Sequence, residues 1–378
     1  MVIYKKQRGV YFLKISKCIL TALIVLSMIP ATILGCSKND EPSQPETTKA
    51  PSTSPPTTTS PPLPPPPPPN PEDPLTGIIS ERTDYSDAVV SVMINNLSVA
   101  LPQAGIGSAG IIYECLTEGG ISRLLAVFNN YKDIEMIGPV RSGRDYFIDL
   151  SYNHRAYYIH YGGSPQTFKK VEALGVKNLN GLSALDSVMF WRDKERLKKG
   201  SYMYEHSAFT SGEKIIKGLE YKKYETSDEA PISAFKFTQN EYTPKGSAAI
   251  HIKIPYSNYI SPWYDYDPDT KQYLRSQFKG EHIDSITGEQ LSFKNILVLY
   301  VEQWNVPGDT EGRIAVKTTG TGDGLYITNG QAIPIKYKKA DEKTPAKYYL
   351  EDGATELTVN SGKTFVHLLS NKKKAEIS

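Results

Sequence analysis

Between Ser37 and Pro74 the chain is almost entirely Pro, Ser, Thr and short polar residues, with an unbroken proline run from Pro64 to Pro69. A segment of this kind has too little apolar side chain to bury and stays unfolded. Polyproline is also stiff, advancing about 3.1 Å per residue, so the stretch reads as a tether with a reach on the order of 100 Å. The rest of the chain divides into a short leader and about 300 residues that must hold everything foldable, a length that suits two domains.

The leader carries Lys5, Lys6, Arg8, Lys14 and Lys17 and no acid. An apolar run from Ile19 to Leu34 follows and ends in Ile33-Leu34-Gly35-Cys36. That layout is a secretory signal, and roughly 16 apolar residues are marginal for a transmembrane helix of about 20. A Cys directly after the small residue resembles the lipobox of bacterial lipoproteins. The resemblance implies that residues 1–35 are removed, that Cys36 becomes an acylated (palmitate-bearing) N-terminus, and that the protein is held by the lipid bilayer on the extracytoplasmic face of the cell membrane.

Five of the 43 basic residues lie in the leader and none of the 41 acids does, so the mature chain is slightly acidic. A nucleic-acid binder keeps a basic balance, and no nucleic-acid partner is expected. Cys18 leaves with the signal and Cys36 takes the lipid. Cys115, in the apolar run from Ile111 to Leu116, is then a lone thiol, expected to be buried and inert, and no intrachain disulfide can form.

Four organisational units follow: signal peptide 1–35, lipidated Cys and tether 36–74, an α/β domain at 75–228, and a β-rich domain at 229–378, giving an α+β chain overall. In the first domain, Ala88 to Ile94, Ala109 to Leu116, Ile121 to Phe128 and Ala156 to Tyr161 read as strands. Three helix starts are predicted. Ser142-Gly143-Arg144-Asp145 has capping-box spacing. Ser164-Pro165 places Pro at the first helical position, with Gly175 as the stop. Thr210-Ser211-Gly212-Glu213 opens a helix ending near Gly218. In the second domain the strands are Ile232 to Thr238, Ala249 to Ile254, Ile296 to Val301, Arg313 to Lys317, Leu325 to Thr328 and Thr364 to Leu369. Turns are expected at Asp267-Pro268-Asp269 and Thr321-Gly322-Asp323-Gly324, and a sandwich or barrel is the expected form.

The chemistry concentrates in Gly138-Pro139-Val140-Arg141-Ser142-Gly143-Arg144-Asp145. With Ser142 as a cap, Arg141 and Arg144 flank a helix N-terminus that is already partly positive, so an anion must offset them. The internal candidates are Asp145, Glu114 and Glu118; the alternative is a ligand carboxylate or phosphate. Gly162-Gly163-Ser164, after the strand that ends near His160, forms a second turn where a ligand can approach the backbone. Arg123 follows another glycine pair, and Glu205-His206-Ser207 precedes the third helix. The candidate ligand-binding set is Arg123, Arg141, Ser142, Arg144, His160, Gly162, Gly163, Ser164 and His206. No hydrolase signature is present, no catalytic residue can be assigned, no cofactor is implied, and six histidines without metal-ligand spacing point to no metal.

Pro74-Leu75-Thr76-Gly77, Asn95-Asn96, Pro102-Gln103-Ala104-Gly105, Glu118-Gly119-Gly120-Ile121-Ser122-Arg123, Gly138 to Arg144 and His160 to Pro165 together resemble the N-terminal half of the YerB-type lipoproteins, a two-domain family of unknown function. Tyr264-Asp265-Tyr266-Asp267, Tyr273-Leu274-Arg275, His282-Ile283-Asp284 and Asn295 to Val298 are similar to its second half. The chain departs from the family at Glu205-His206-Ser207, where Pro-His-Asn is usual. The resemblance implies localisation and architecture and supplies no reaction. Three readings of function stand: a non-catalytic module that binds a cell-wall fragment, an anionic polymer or an envelope protein through the arginine face; an envelope enzyme on a phosphate-containing or glycan substrate, with Arg141 and Arg144 as clamp and His160 or His206 as acid/base; and a scaffold whose arginines only hold the two domains together.

Overall fold

The apolar runs that open the folded part become strands buried on both faces, as β1 (Val90–Asn95), β2 (Ile111–Leu116) and β3 (Ser122–Phe128). Their side chains divide with a period of two. Val90, Val92, Ile94, Ile112, Leu124, Ala126 and Phe128 enter one core; Met93, Ile111, Tyr113, Cys115, Leu125 and Val127 enter the other. The computed structural model describes residues 71–82, 84–227 and 232–378. The signal, Cys36 and most of the tether lie outside the described residues, as does the expected domain boundary at 228.

Helices cover both faces of this part of the sheet. α1 (Asp145–Tyr152) precedes β4 (Tyr157–His160), and α2 (Pro165–Leu174) precedes β5 (Asn178–Asn180). Then come α3 (Leu185–Met189), α4 (Lys194–Leu197) and α5 (Gly212–Tyr221). Phe147, Ile148 and Leu150 of α1 fill one core, while Leu185, Met189, Ile215 and Leu219 of α3 and α5 fill the other. β1, β4 and β5 run parallel, with β3 and β2 continuing the sheet antiparallel on the other side of β1.

Among the described residues, no helix follows Tyr221. The main strands there are β6 (His251–Lys253), β7 (Trp263–Asp267), β8 (Gln272–Gln277), β9 (Asn295–Val301), β10 (Gly320–Thr328), β11 (Gln331–Lys339), β12 (Lys347–Leu350) and β13 (Thr364–Ser370). They serve two sheets. β13 pairs in parallel with β2, Ile111 opposite Thr364, and on its other edge with β9, so that β12-β11-β10-β9-β13 extends the first sheet into an eleven-stranded one. β6, β7 and β8 form the centre of a second, six-stranded sheet. Ile252, Tyr264 and Tyr273 from that sheet share a core with Ile296, Val298 and Phe365 of the first. The molecule is thus an N-terminal α/β part and a β-rich C-terminal part joined edge to edge.

Three local expectations are corrected. Ser142 does not cap α1. The residue before the helix is Arg144, in extended backbone and with no side-chain cap, because residues 140–143 are drawn into pairing with Ile94 and Gly163. The third helix is capped by Ser211, not Thr210, and runs beyond Gly218 to Tyr221. Thr321 to Gly324 is no turn: it lies inside β10, and the hairpin closes at Asn329-Gly330, both with positive φ (49° and 73°). The second helix is as expected. Ser164 accepts from the Thr167 N–H, Pro165 is the first residue, and Gly175 ends the helix at φ 62°.

Candidate functional site

α1 and α2 begin side by side because their leading segments pair with each other. Gly143 N–H donates to the Gly162 carbonyl at 2.8 Å, and Ser164 N–H to the Gly143 carbonyl at 3.3 Å. Glycine is required at Gly143, where a Cβ would come within 2.8 Å of the Tyr158 hydroxyl and 3.0 Å of Thr167. Gly162 sits at φ 73°, and a Cβ there would meet Leu182 at 2.9 Å. The two turns singled out in the sequence are one junction.

Two arginines build it from beneath. Arg123 donates to the Ser142 carbonyl (2.6 Å) and to Glu118 (2.9 Å). Arg144 grips Glu118 with two nitrogens, Nε at 2.9 Å, and donates to the Gly143 carbonyl at 2.7 Å. Arg123 and Arg144 are 3% and 6% exposed, so neither offers its guanidinium freely to solvent. Of the three internal candidates, the acid that meets them is Glu118. Burial pushes the Glu118 pKa up, but the two guanidiniums outweigh it and hold the carboxyl at about 2. Burial, together with the charge of Arg144, lowers Arg123 to about 9. One carboxylate thus lies within ion-pair distance of two cations, and Asp145, the first residue of α1, stands within electrostatic reach of Arg144.

Arg141 is placed differently. It is half-buried and pairs at 3.0 Å with Glu205, whose side chain is 69% exposed. The backbone N–H groups of Ser142 and Gly163 have no hydrogen-bond partner among the described residues. His206 accepts at Nδ1 from Asn95 (2.7 Å), because the Asn95 side-chain oxygen is occupied by the Leu97 N–H. The proton of neutral His206 therefore sits on Nε2, which has no hydrogen-bond partner among the described residues. Burial and the neighbouring Arg141 both lower its pKa. His160 is internal: Nδ1 lies 2.7 Å from the Gly162 carbonyl and Nε2 3.1 Å from the Asn178 side-chain oxygen. Burial lowers its pKa against the pull of those two acceptors. Ser164 is buried and spent on its cap. The nine candidates therefore gather at one place in two roles. Arg123, Arg144, His160, Gly162 and Ser164 shape the junction, and Arg141, Ser142, Gly163 and His206 border its outer side.

The sequence reading missed what flanks that side. The Arg192 guanidinium lies between the Tyr161 and Tyr204 rings, 4.4 and 4.1 Å from their centroids, and donates to the Tyr204 carbonyl. Leu182, against Gly162, and Phe168, against Gly163, are exposed. The basic-aromatic run Trp191-Arg192-Asp193-Lys194 was the available signal.

Also missed was a second acid–arginine centre. Glu114 and Arg275 pair at 2.8 Å with neither side chain exposed. Glu114 also accepts from Asn96 and Ser122, while Arg275 donates to Tyr264 and to His282. His282 Nε2 donates to Gln103, and His367 bridges Tyr256 and Tyr264. The inward alternation Tyr273, Arg275, Gln277 along β8 carried that signal.

Comparison with known proteins supplies the kinship. Residues 75–225 match the model of the DUF3048 N-terminal domain and residues 252–366 that of the DUF3048 C-terminal domain, both described as protein of unknown function. The chain is 30% identical over 311 residues to "Putative lipoprotein YerB" of Bacillus subtilis (strain 168), an alignment covering 81% of this chain and 88% of that one. The crystal structure of the YerB protein from Bacillus subtilis superposes with a TM-score of 0.71 at 29% identity, over 81% of this chain and 99% of that one.

Proposed function

The chain belongs to the DUF3048 family of proteins of unknown function, and from that premise we propose that it is a lipid-anchored, extracytoplasmic binding protein that holds an anionic cell-envelope polymer at the α1–α2 junction. The lipobox-like Leu34-Gly35-Cys36 and the kinship with a protein named as a lipoprotein support the anchor on Cys36. Arg141 is the direct contact, His206 Nε2 and the Ser142 and Gly163 N–H groups are further donors, and Tyr161, Arg192 and Tyr204 are a platform for the polymer's uncharged parts.

One observation carries the reading. Arg141 is held by Glu205 alone, through its exposed carboxylate and its backbone carbonyl, both at 3.0 Å, beside two buried guanidiniums paired with one carboxylate. The Glu205 side of this ion pair is open to solvent, where such pairs are worth on the order of 1 kcal/mol, so a polyanion can replace the carboxylate while the bond to the Glu205 carbonyl stays. The enzyme reading keeps one of its two acid/base candidates, His206, since His160 has both ring nitrogens engaged inside the fold. The test is titration of the chain with purified polyglycerol phosphate. Arg141→Ala should weaken binding at least tenfold with the melting temperature unchanged, and wild-type binding should fall with added salt. Equal binding by the variant would remove the proposal, and steady release of phosphate or glycerol by the wild type would favour the enzyme.

A further inference from the structure

At the opposite end of the same two helices lies a cavity of about 250 Å³. α1 and α2 have eight and ten residues, which puts it roughly 12–15 Å from the junction. Its walls are apolar, chiefly Ile148, Ala156, Leu174 and Val176, with Tyr152 and Tyr157 beside them. Arg155, Lys177 and Lys343 stand around the mouth, all exposed. None of the three makes an ion pair among the described residues, and no carboxylate lines the cavity. Lys343 comes from the loop after β11, so both parts of the molecule contribute.

Cations at helix C-termini have an ordinary explanation in the helix dipole. Each C-terminus supplies roughly half a negative charge, so two ends offset about one of three cations and the mouth stays positive. Arg155 also occupies a left-handed conformation (φ 50°), which glycine or asparagine adopts more cheaply. The volume equals that of about eight waters, small for a ligand pocket.

We propose that this cavity is a second, separate binding site for a small organic phosphate: the apolar walls take a compact aromatic or branched aliphatic body, and Arg155, Lys177 and Lys343 take the dianionic head. Phenyl phosphate is the probe, added to the full chain in detergent and followed by calorimetry, with inorganic phosphate in parallel. Saturable binding at least tenfold tighter than that of inorganic phosphate is expected. Lys343→Ala and Lys177→Ala should each weaken it by about threefold to tenfold, while Lys372→Ala, at an exposed lysine elsewhere, should leave it unchanged. The proposal is overturned by an absence of saturable binding, by equal affinity for inorganic phosphate, or by lysine variants that match Lys372→Ala.

Discussion

Glu114 and Glu118 lie four residues apart on one β-hairpin and each meets arginine, yet they make different kinds of centre. Glu114 has one guanidinium, and the hydrogen bonds around it assign a direction to each shared proton. Arg275 donates to His282, His282 to Gln103, and Asn96 and Ser122 to Glu114. The centre is balanced, fully buried, and spans the N- and C-terminal parts. Glu118 has two guanidiniums, keeps 23% of its side chain exposed, and sits beside a third arginine with a loosely held partner. A closed, neutral centre does architectural work. A half-open centre, with an acid partly in solvent and a third arginine at its edge, retains the capacity to receive something else.

The difference can be tested from its largest effect downward. Glu114→Ala strands Arg275 in the interior and should cost about 3–5 kcal/mol in denaturant unfolding; a loss below about 1 kcal/mol would place the two centres in one class. Glu118→Gln should cost less, on the order of 2 kcal/mol near neutral pH, because its site is partly wet. Its pH dependence gives a sharper reading. A carboxyl lowered from 4.5 to about 2 contributes stability above its unfolded pKa and loses it as pH falls through the folded value. The wild type should weaken between about pH 4.5 and 2, and the stability difference from Glu118→Gln should close over that window. Ser164→Ala should remove about 1 kcal/mol by loss of the cap to Thr167, leaving the charges intact. Arg141→Ala should change stability by less than about 0.5 kcal/mol, in keeping with a side chain held for binding.

Local chemistry carried much of this into the sequence. Ser164-Pro165 and Gly175 delimit α2 because caps and the left-handed stop act within a few residues. The arginine cluster, its glycine turns and the strands β1 to β4 were readable from composition and alternation. Ser142 misled because tertiary pairing with β1 and Gly163 outcompetes a cap. The Asn329-Gly330 hairpin had a local signal, obscured by the glycines of β10. The continuous sheet had none: β2 and β13 are separated by about 250 residues, and no local pattern announces a parallel partner so distant. Arg275 opposite Glu114 is hidden for the same reason.

The most direct measurement is polyglycerol phosphate affinity in Glu205→Ala. If the Glu205 carboxylate merely occupies Arg141 until a polyanion arrives, its removal leaves the guanidinium held only by the residue-205 carbonyl and affinity should rise severalfold, with the gain abolished in the Glu205→Ala/Arg141→Ala double variant. Unchanged or weaker binding in Glu205→Ala would mean that Arg141 is not waiting for an anion, and the binding role assigned to the junction would be contradicted.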